Sequence, residues 1–432
     1  MVSLTAIKGM NDILPLDMEA WIFFEQNAKL CLKQFGYNEI RTPILEHTEV
    51  FVRGIGQVTD IVEKEMYSFN DSLNGENLTL RPEGTASVVR SVIQNHLLYD
   101  GGKKLWYMGA MFRHERPQRG RYRQFHQLGI ESLGFAHPQA DTELVLFAHK
   151  LFEKLGIQDK LVLHINSLGN LPERLKHREA LIKYFEENVN ILDVDSIKRL
   201  KTNPLRVLDS KNPDMQSMIE NAPSILDFLE QDSLSHFNTI KKLLDGLNIA
   251  YKVNHRLVRG LDYYNKTVFE WITEELGAQG TVCGGGRYDP LIEIMGGKSY
   301  PAVGLAMGIE RILELIKMTS YAKQPKNDVY LIYNGEQTEL YSLLLASKLR
   351  DFSINVIQHS HIELQQQSLK SQMKKAGASN SNFAIVITDQ FILEKRISIK
   401  SLISGDEQVF DLENLNNNEQ LKLICNYIQK TL

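Results

Sequence analysis

The sequence predicts an α+β protein in which a strand-rich region, interrupted by helices, is followed by a separate α/β domain. Three observations carry this. Strand-like alternation flanks an arginine-rich loop at 105–134, charged leucine-spaced helices fill residues 170–250, and short apolar strands alternate with helices beyond residue 326. At 432 residues the chain is long enough for two or three domains, each with its own core.

Taken in order, residues 17–35 place Trp21, Phe24, Ala28, Cys31 and Phe35 at helical spacing, and Gly36 is the stop. EIRTPILEHTEVF reads as an extended strand. Pro43 cannot donate to a ladder, so the strand belongs at an edge, an interface or a surface turn. LTLRPEGTASVVRSVI reads as strand, turn and helix, with Thr85 as N-cap and Val88, Val89, Val92 and Ile93 as the buried side. Leu105 to Gly134 reads as one long antiparallel hairpin. RLKHREALIKYFEE and LSHFNTIKKLLDGL mark the helical segment. Strands resume at RLVRGLDYYNKTVFEWI and GTVCGGGRYDP, and GLAMGIERI follows. KMTSYAKQPKN, 317–327, is a linker, and DVYLIY, INVIQ and FAIVIT open a βαβαβ pattern with a parallel or mixed sheet.

Composition excludes several classes. No apolar run approaches the roughly 18 residues that span a bilayer, and the start MVSLTAIKGMNDILP lacks a secretory layout, so a cytoplasmic protein is expected. Cys31, Cys283 and Cys425 are odd in number and far apart, which argues against a disulfide framework or a zinc knuckle. With 49 Lys and Arg against 53 Asp and Glu, any nucleic-acid affinity must come from a local patch. That patch is FRHERPQRGRYRQFHQLG, with five arginines from Arg113 to Arg123 and one acid, Glu115.

Strand period places Tyr107, Gly109, Met111, Arg113 and Glu115 on one face of the hairpin, and Arg123, Phe125, Gln127, Gly129 and Glu131 on one face of the returning strand. A solvent-facing sheet would show polar residues there too. The glycines, the aromatic and the spaced carboxylates suit a ligand with several distinct groups, with arginine forks for phosphate. Glu83 and Thr85 in RPEGT fit either an ammonium site or a capped turn with a solvated acid. Arg259 in LVRGLDYY fits either a ligand site or a core salt bridge to Asp262, and Tyr263 and Tyr264 add phenolic donors. GGKSYP fails the phosphate-loop pattern because Ile292 stands where glycine is required, and GIGQVTD lacks the third glycine of a dinucleotide loop. His359 and His361 read as a solvated loop. In GLAMGIERI, Gly304 and Gly308 permit close backbone approach, and Arg311 points toward the site if the helix packs under the sheet.

Together these segments resemble the class II aminoacyl-tRNA synthetases, and their histidyl branch in particular. The segment around Pro43, the arginine hairpin and GLAMGIERI are similar to the three class motifs, while LVRGLDYY and GGRYD are similar to the two histidyl signatures. Leu305 departs from the aromatic common in the third motif. The resemblance covers nearly the whole chain. It implies a class II antiparallel catalytic sheet in two parts, 1–169 and 251–320, a helical insertion at 170–250 beside the tRNA acceptor arm, and an anticodon-binding domain at 326–432.

The resemblance also implies a homodimer that joins L-histidine to tRNA(His) through an adenylate, with ATP as substrate, Mg²⁺ accompanying it and no metal site of its own. It assigns Arg113, Arg259 and Arg311 to catalysis. Histidine falls to Glu83, Thr85, Arg113, Gln127, Glu131, Arg259, Tyr263, Tyr264 and Tyr288. ATP falls to Arg113, Glu115, Arg121, Phe125 and Arg311, and the acceptor end to Arg116, Gln118 and Arg123. The alternative is a non-catalytic histidine- or tRNA-sensing regulatory paralogue. Such a paralogue typically lacks the last domain, whereas about 105 residues follow the linker here. That domain carries 11 basic and 12 acidic residues from Lys326 onward, which suggests anticodon contact by shape and stacking more than by charge.

Overall fold

The computed structural model describes residues 4–430 except 57–58, 60, 209, 211, 278–279, 320–327, 336–337 and 359–367. His359 and His361 lie outside the described residues. The chain divides into two compact units at residues 322/323.

The first unit begins with α1 (Met18–Gln34), β1 (Asn38–Glu39), β2 (Leu45–His47), α2 (Thr48–Ile55), β3 (Tyr67–Asn70), β4 (Asn77–Leu80) and α3 (Thr85–Gln94). It continues with β5 (Lys103–Phe112), β6 (Gln124–Leu133), α4 (Pro138–Lys154), β7 (Val162–Ser167), α5 (Leu171–Glu187), α6 (Val194–Thr202), α7 (Gln216–Glu220) and α8 (Gln231–Gly246). It closes with β8 (Tyr251–Val253), β9 (Asn265–Ile272), β10 (Thr281–Arg287), α9 (Leu291–Ile294), β11 (Ala302–Gly308) and α10 (Ile309–Ile316).

Eight strands form one sheet in the order β1-β5-β6-β11-β10-β9-β7-β8. The six from β5 to β7 pair antiparallel, and only the short edge strands β1 and β8 add in parallel. Because side chains alternate, the two faces differ in kind. Trp106, Leu128, Ile130, Val303, Leu305 and Met307 face a helical layer of α1, α4, α8 and α10, where Phe24, Phe147, Phe237 and Ile312 complete the core. Each fully buried large apolar side chain there contributes roughly 1.5–3 kcal/mol. The other face carries Tyr107, Tyr264 and Tyr288 under α3 and is only partly covered.

Two readings of the sequence change here. The stretch around Pro43 is not one strand. β1 joins the large sheet, while β2 pairs β4 in a separate three-stranded sheet, so the chain changes sheets across the proline. Within the helical segment, α5, α6 and α7 with their linking turns build a core of their own around Leu181, Phe185, Val207, Met215 and Ile219, whereas Phe237, Ile240 and Leu244 of α8 pack into the main core.

Arg287, in the GGGRYDP run, is buried and structural. It donates to both Asp141 carboxylate oxygens, to the Phe135 carbonyl (3.1 Å) and to Asp289 (3.1 Å). Burial pushes the Asp141 carboxyl up, but its bonds with His236 and Arg287 outweigh this and hold it below the ordinary range. The ion pair ties β10 to α4.

The second unit holds β12 (Val329–Asn334), α11 (Thr338–Asp351), β13 (Val356–Gln358), α12 (Leu369–Ala378), β14 (Phe383–Thr388), α13 (Asp389–Glu394), β15 (Arg396–Ser401), β16 (Glu407–Asp411) and α14 (Asn418–Lys430). Its sheet order is β13-β12-β14-β15-β16, parallel over the first three strands and antiparallel over the rest.

Asp141→Ala leaves the buried Arg287 guanidinium with Asp289 as its one remaining carboxylate partner among the described residues. The expected cost is about 3–5 kcal/mol, read as a lower urea midpoint for the first unit by circular dichroism.

Candidate active site

The hairpin β5–β6 pairs Tyr107 with Gly129, Gly109 with Gln127 and Met111 with Phe125, and past the strand ends the Arg113 amide donates to the Arg123 carbonyl (2.8 Å). Within the strands the residues expected to share a face therefore do so, whereas Arg113, Glu115 and Arg123 lie past the strand ends. β11 and β10 extend that face with Gly304, Ala306, Gly284 and Gly286.

Glycine makes this floor low enough for large side chains to lie on it. A Cβ at Gly129 or at Gly84 would collide with the Tyr107 ring, one at Gly304 with the Glu131 carboxylate, and one at Gly284 with the Arg259 guanidinium. Above the floor is a cavity of about 230 Å³. Its walls include Glu83, Thr85, Gln127, Tyr263, Tyr264 and Tyr288 on one side, Arg113, Glu115, Arg121, Phe125 and Arg311 on the other, and Arg259 as well.

At the first side, Glu83 is only 4% exposed and accepts from the Thr85 and Ala86 amides (2.7 Å each). It thus satisfies the start of α3, where a carboxylate also suits the helix dipole. The capping residue is Gly84, not Thr85, and Glu83 is not solvated. Burial raises its pKa against those amide bonds. The Thr85 hydroxyl is free to turn inward and donates to Glu131 (2.8 Å).

Glu131 is fully buried and sits one layer beneath the cavity wall, with Tyr288 donating to its second oxygen. Burial pushes its pKa up to about 8, opposed by the Tyr288 and Thr85 bonds and reinforced by Glu83. Tyr263, Tyr264 and Tyr288 close the pocket with ring centroids 4.7–6.3 Å apart.

At the second side, the Arg113 guanidinium lies over Phe125, 5.3 Å from the ring centroid, and Nε donates to the Pro82 carbonyl (2.9 Å). Arg121 pairs with Glu115, which also stands 3.9 Å from Arg113. Arg311, on α10, donates to the carbonyls of Gly120 (3.0 Å) and Thr281. Burial lowers the pKa of all three arginines. Burial first, and then repulsion from Arg121 and Arg113, brings Arg311 down to about 10. Cations that depress one another in a closed space form a site for an anion.

Arg259 lies between the two sides. Burial opposes its charge, but Tyr264 (5.4 Å from guanidinium to ring centroid) and an ion pair with Glu270 outweigh this and raise its pKa. Its partner is therefore Glu270 and not Asp262, which turns away to Asn203. Sequence reasoning missed Glu270. The available signal was an acid within the apolar strand NKTVFEWI, which pairs with Gly284 of the glycine run. Arg259 Nε and the Gln127 carbonyl oxygen are buried without hydrogen-bond partners, as groups awaiting a ligand would be.

Arg116, Gln118 and Arg123 do not line the cavity. Arg116 and Gln118 are exposed near the hairpin tip, and Arg123 folds back to donate to the Glu115 carbonyl (3.2 Å).

Residues 9–312 match the family model described as histidyl-tRNA synthetase. The chain belongs to the histidyl-tRNA synthetase family. Its relatives include the histidine–tRNA ligase of Cupriavidus taiwanensis, 57% identical over 401 residues, 93% of this chain and 88% of that protein. Another is that of Burkholderia ambifaria, 55% identical over 406 residues, 94% and 91% of the two chains. Among solved structures, apo histidyl-tRNA synthetase of S. aureus is similar with a TM-score of 0.80 at 32% identity, covering 99% of this chain and 100% of that one. As a family member the chain is an aminoacyl-tRNA synthetase, a ligase acting on histidine. No helix among the described residues is long and apolar enough to cross a membrane.

Glu131 gives this synthetase a signed pH dependence. A carboxyl at about 8 when folded, against about 4.3 when unfolded, costs nothing below the lower value. Stability falls as pH rises between the two and levels off above about 8. Glu131→Gln is expected to flatten that slope, raising the thermal midpoint relative to wild type at pH 8 but not at pH 4.5, as differential scanning fluorimetry would read.

Proposed function

We propose that the cavity activates L-histidine with ATP and then charges tRNA(His). The observation that carries the reading is the meeting, in one cavity, of an arginine cluster suited to phosphates and a pocket of tyrosines, Gln127 and buried carboxylates suited to a small polar amino acid. A histidine carboxylate oxygen attacks the α-phosphorus of ATP, the bond to the bridging oxygen breaks, and pyrophosphate leaves with Mg²⁺, which arrives as part of the substrate. The 3′-hydroxyl of the terminal tRNA ribose then attacks the acyl carbon and AMP departs. The adenylate phosphate accepts the ribose proton, so no separate base is required.

Glu83, Thr85 and Gln127 hold the ammonium group. Tyr264 and Glu131 bind the imidazole nitrogens, Glu131 by exchanging one of the hydroxyls it now accepts from. Tyr263 and Tyr288 form the pocket walls. Arg113 and Arg259 bind the substrate carboxylate and the α-phosphate as charge develops between them, and Arg311 and Arg121 take the outer phosphates. Phe125 stacks the adenine, with Glu115 at its amino group. Stabilisation of this kind, by groups fixed in a dry site, is the largest source of rate in phosphoryl transfer. A pocket of paired polar groups rejects apolar mimics by about 10⁴-fold or more.

Arg116, Gln118 and Arg123 meet the acceptor end. Segments 1–169 and 251–320 form the catalytic domain, 170–250 the insertion beside the acceptor arm, and 326–432 the anticodon-binding domain. The reading includes a homodimer formed through the Pro43 segment, where Ile44 and Leu45 are exposed, and a cytoplasmic location, which the free Cys31, Cys283 and Cys425 support.

Pyrophosphate exchange into ATP, run with each of the twenty amino acids, tests the reading. Histidine alone is expected to support exchange, and Arg259→His to lower it by about 10²-fold or more. No exchange from a folded protein that still binds histidine would overturn catalysis, and an unchanged rate in Arg259→His would sink that residue's role.

A further inference from the structure

Asp262 stands three residues after Arg259, yet it does not line the cavity. It belongs to another set of contacts. No helix or strand covers residues 254–264, between β8 and β9, so no ladder of backbone hydrogen bonds sets their shape. Side chains do: Asn166 of β7 donates to the His255 (3.3 Å) and Leu257 (3.0 Å) carbonyls, and the helical segment supplies the rest. Arg256 Nη1 donates to Gln216 Oε1 (3.3 Å), Arg206 Nη2 to the Gly260 carbonyl (2.6 Å), Asn203 Nδ2 to Asp262 Oδ1 (3.3 Å) and Arg174 Nη1 to the Tyr264 carbonyl (2.8 Å). The helical segment thus anchors positions 256, 260, 262 and 264, while Asn166 anchors 255 and 257. The side chains of Arg259, Tyr263 and Tyr264, which line the cavity, project from this anchored stretch. From the opposite side the Asp262 amide donates to the Ile55 carbonyl (3.2 Å). Gly56, at φ +103°, has no Cβ to press within 3.0 Å of the Asp262 carboxylate.

We propose that the helical segment positions the histidine half of the site: Arg174, Asn203 and Arg206 hold the 256–264 loop in the shape that presents Arg259, Tyr263 and Tyr264, with Asp262 and the Gly260 and Tyr264 carbonyls as the groups held. The inference rests on the reading that this cavity takes histidine. None of the three touches substrate, so each acts through the loop. A ligand that shifts the helices changes histidine affinity, and histidine changes the affinity of that ligand by the same factor.

The test is pyrophosphate exchange by the full chain carrying Asn203→Ala, Arg206→Ala or Arg206→Lys, with histidine and ATP varied separately. Both alanine variants are expected to raise the histidine KM about 10-fold and to leave the ATP KM within about twofold. Arg206→Lys restores most of the loss, because lysine keeps a donor for the Gly260 carbonyl and a positive charge beside Asp262. Wild-type histidine KM values in both alanine variants would overturn the proposal. So would a joint rise of both KM values with a lower thermal midpoint, which marks a general loss of fold. Absence of exchange in the wild type would overturn the functional reading alone, and histidine titration calorimetry on the same proteins would then read the effect of the 256–264 loop on histidine binding directly.

Discussion

Burial of charge on one face of an antiparallel sheet is the constraint on which the first unit depends. Arg113, Arg121, Arg259 and Arg311 line one cavity and are partly buried there, and the carboxylates of Glu83 and Glu131 lie buried in or beneath it. Each isolated charge would carry a large desolvation penalty, so each needs a partner or must shift its protonation. Both outcomes occur. Arg259 and Arg121 are paired with Glu270 and Glu115, whereas Glu131 is held as an acid up to about pH 8. Burial lowers the pKa of Arg113, Arg121 and Arg311, repulsion from Arg121 and Arg113 lowers Arg311 further, and a triphosphate would neutralise this field.

The two faces of the sheet divide the work. Trp106, Leu128, Ile130 and Leu305 face the helices and supply apolar burial, which does not depend on direction. The other face has given up much of that burial. Gly129, Gly284 and Gly304 add no side-chain area, and their function is to let Tyr107, Arg259 and Glu131 lie flat against the backbone. Glycine is unfavourable in a strand interior. The antiparallel ladder of β5, β6, β11, β10 and β9 and the helical layer behind it offset that cost, which explains why a glycine-rich face sits at the centre of the sheet and not at its edge.

Where one physical period governs, the sequence was a good guide. Strand alternation put Tyr107 with Gly109 and Met111, and Phe125 with Gln127, before any contact was known, and the 3.6-residue spacing found α1 and the buried side of α3. Pairings that depend on distant chain were not legible. Arg259 and Asp262 are close in sequence, but the turn between them sends one into the cavity and the other to Asn203, while Glu270 reaches Arg259 from the next strand. Thr85 has the chemistry of an N-cap, and only the structure shows that Glu83 takes over that role and releases the hydroxyl toward Glu131. The Pro43 stretch has the composition of a strand but splits between two sheets. α8 looks like its helical neighbours and departs from them because Phe237, Ile240 and Leu244 match the main core.

Arg259 connects these levels. It lines the cavity, its charge is reinforced by Tyr264 and Glu270, and its Nε is buried without a hydrogen-bond partner. A guanidinium already fixed by one carboxylate loses little freedom when a second anion arrives, so its remaining donors are oriented before the substrate binds. Glu270 is itself held by the Thr281 hydroxyl (3.0 Å), and Arg311 donates to the Thr281 carbonyl. The arginine proposed for the carboxylate and α-phosphate and the arginine proposed for the outer phosphates are thus set by one residue of β10. A displacement of that strand would move both anion contacts together. At the far end of the same strand the buried ion pair of Arg287 with Asp141 fixes β10 against α4.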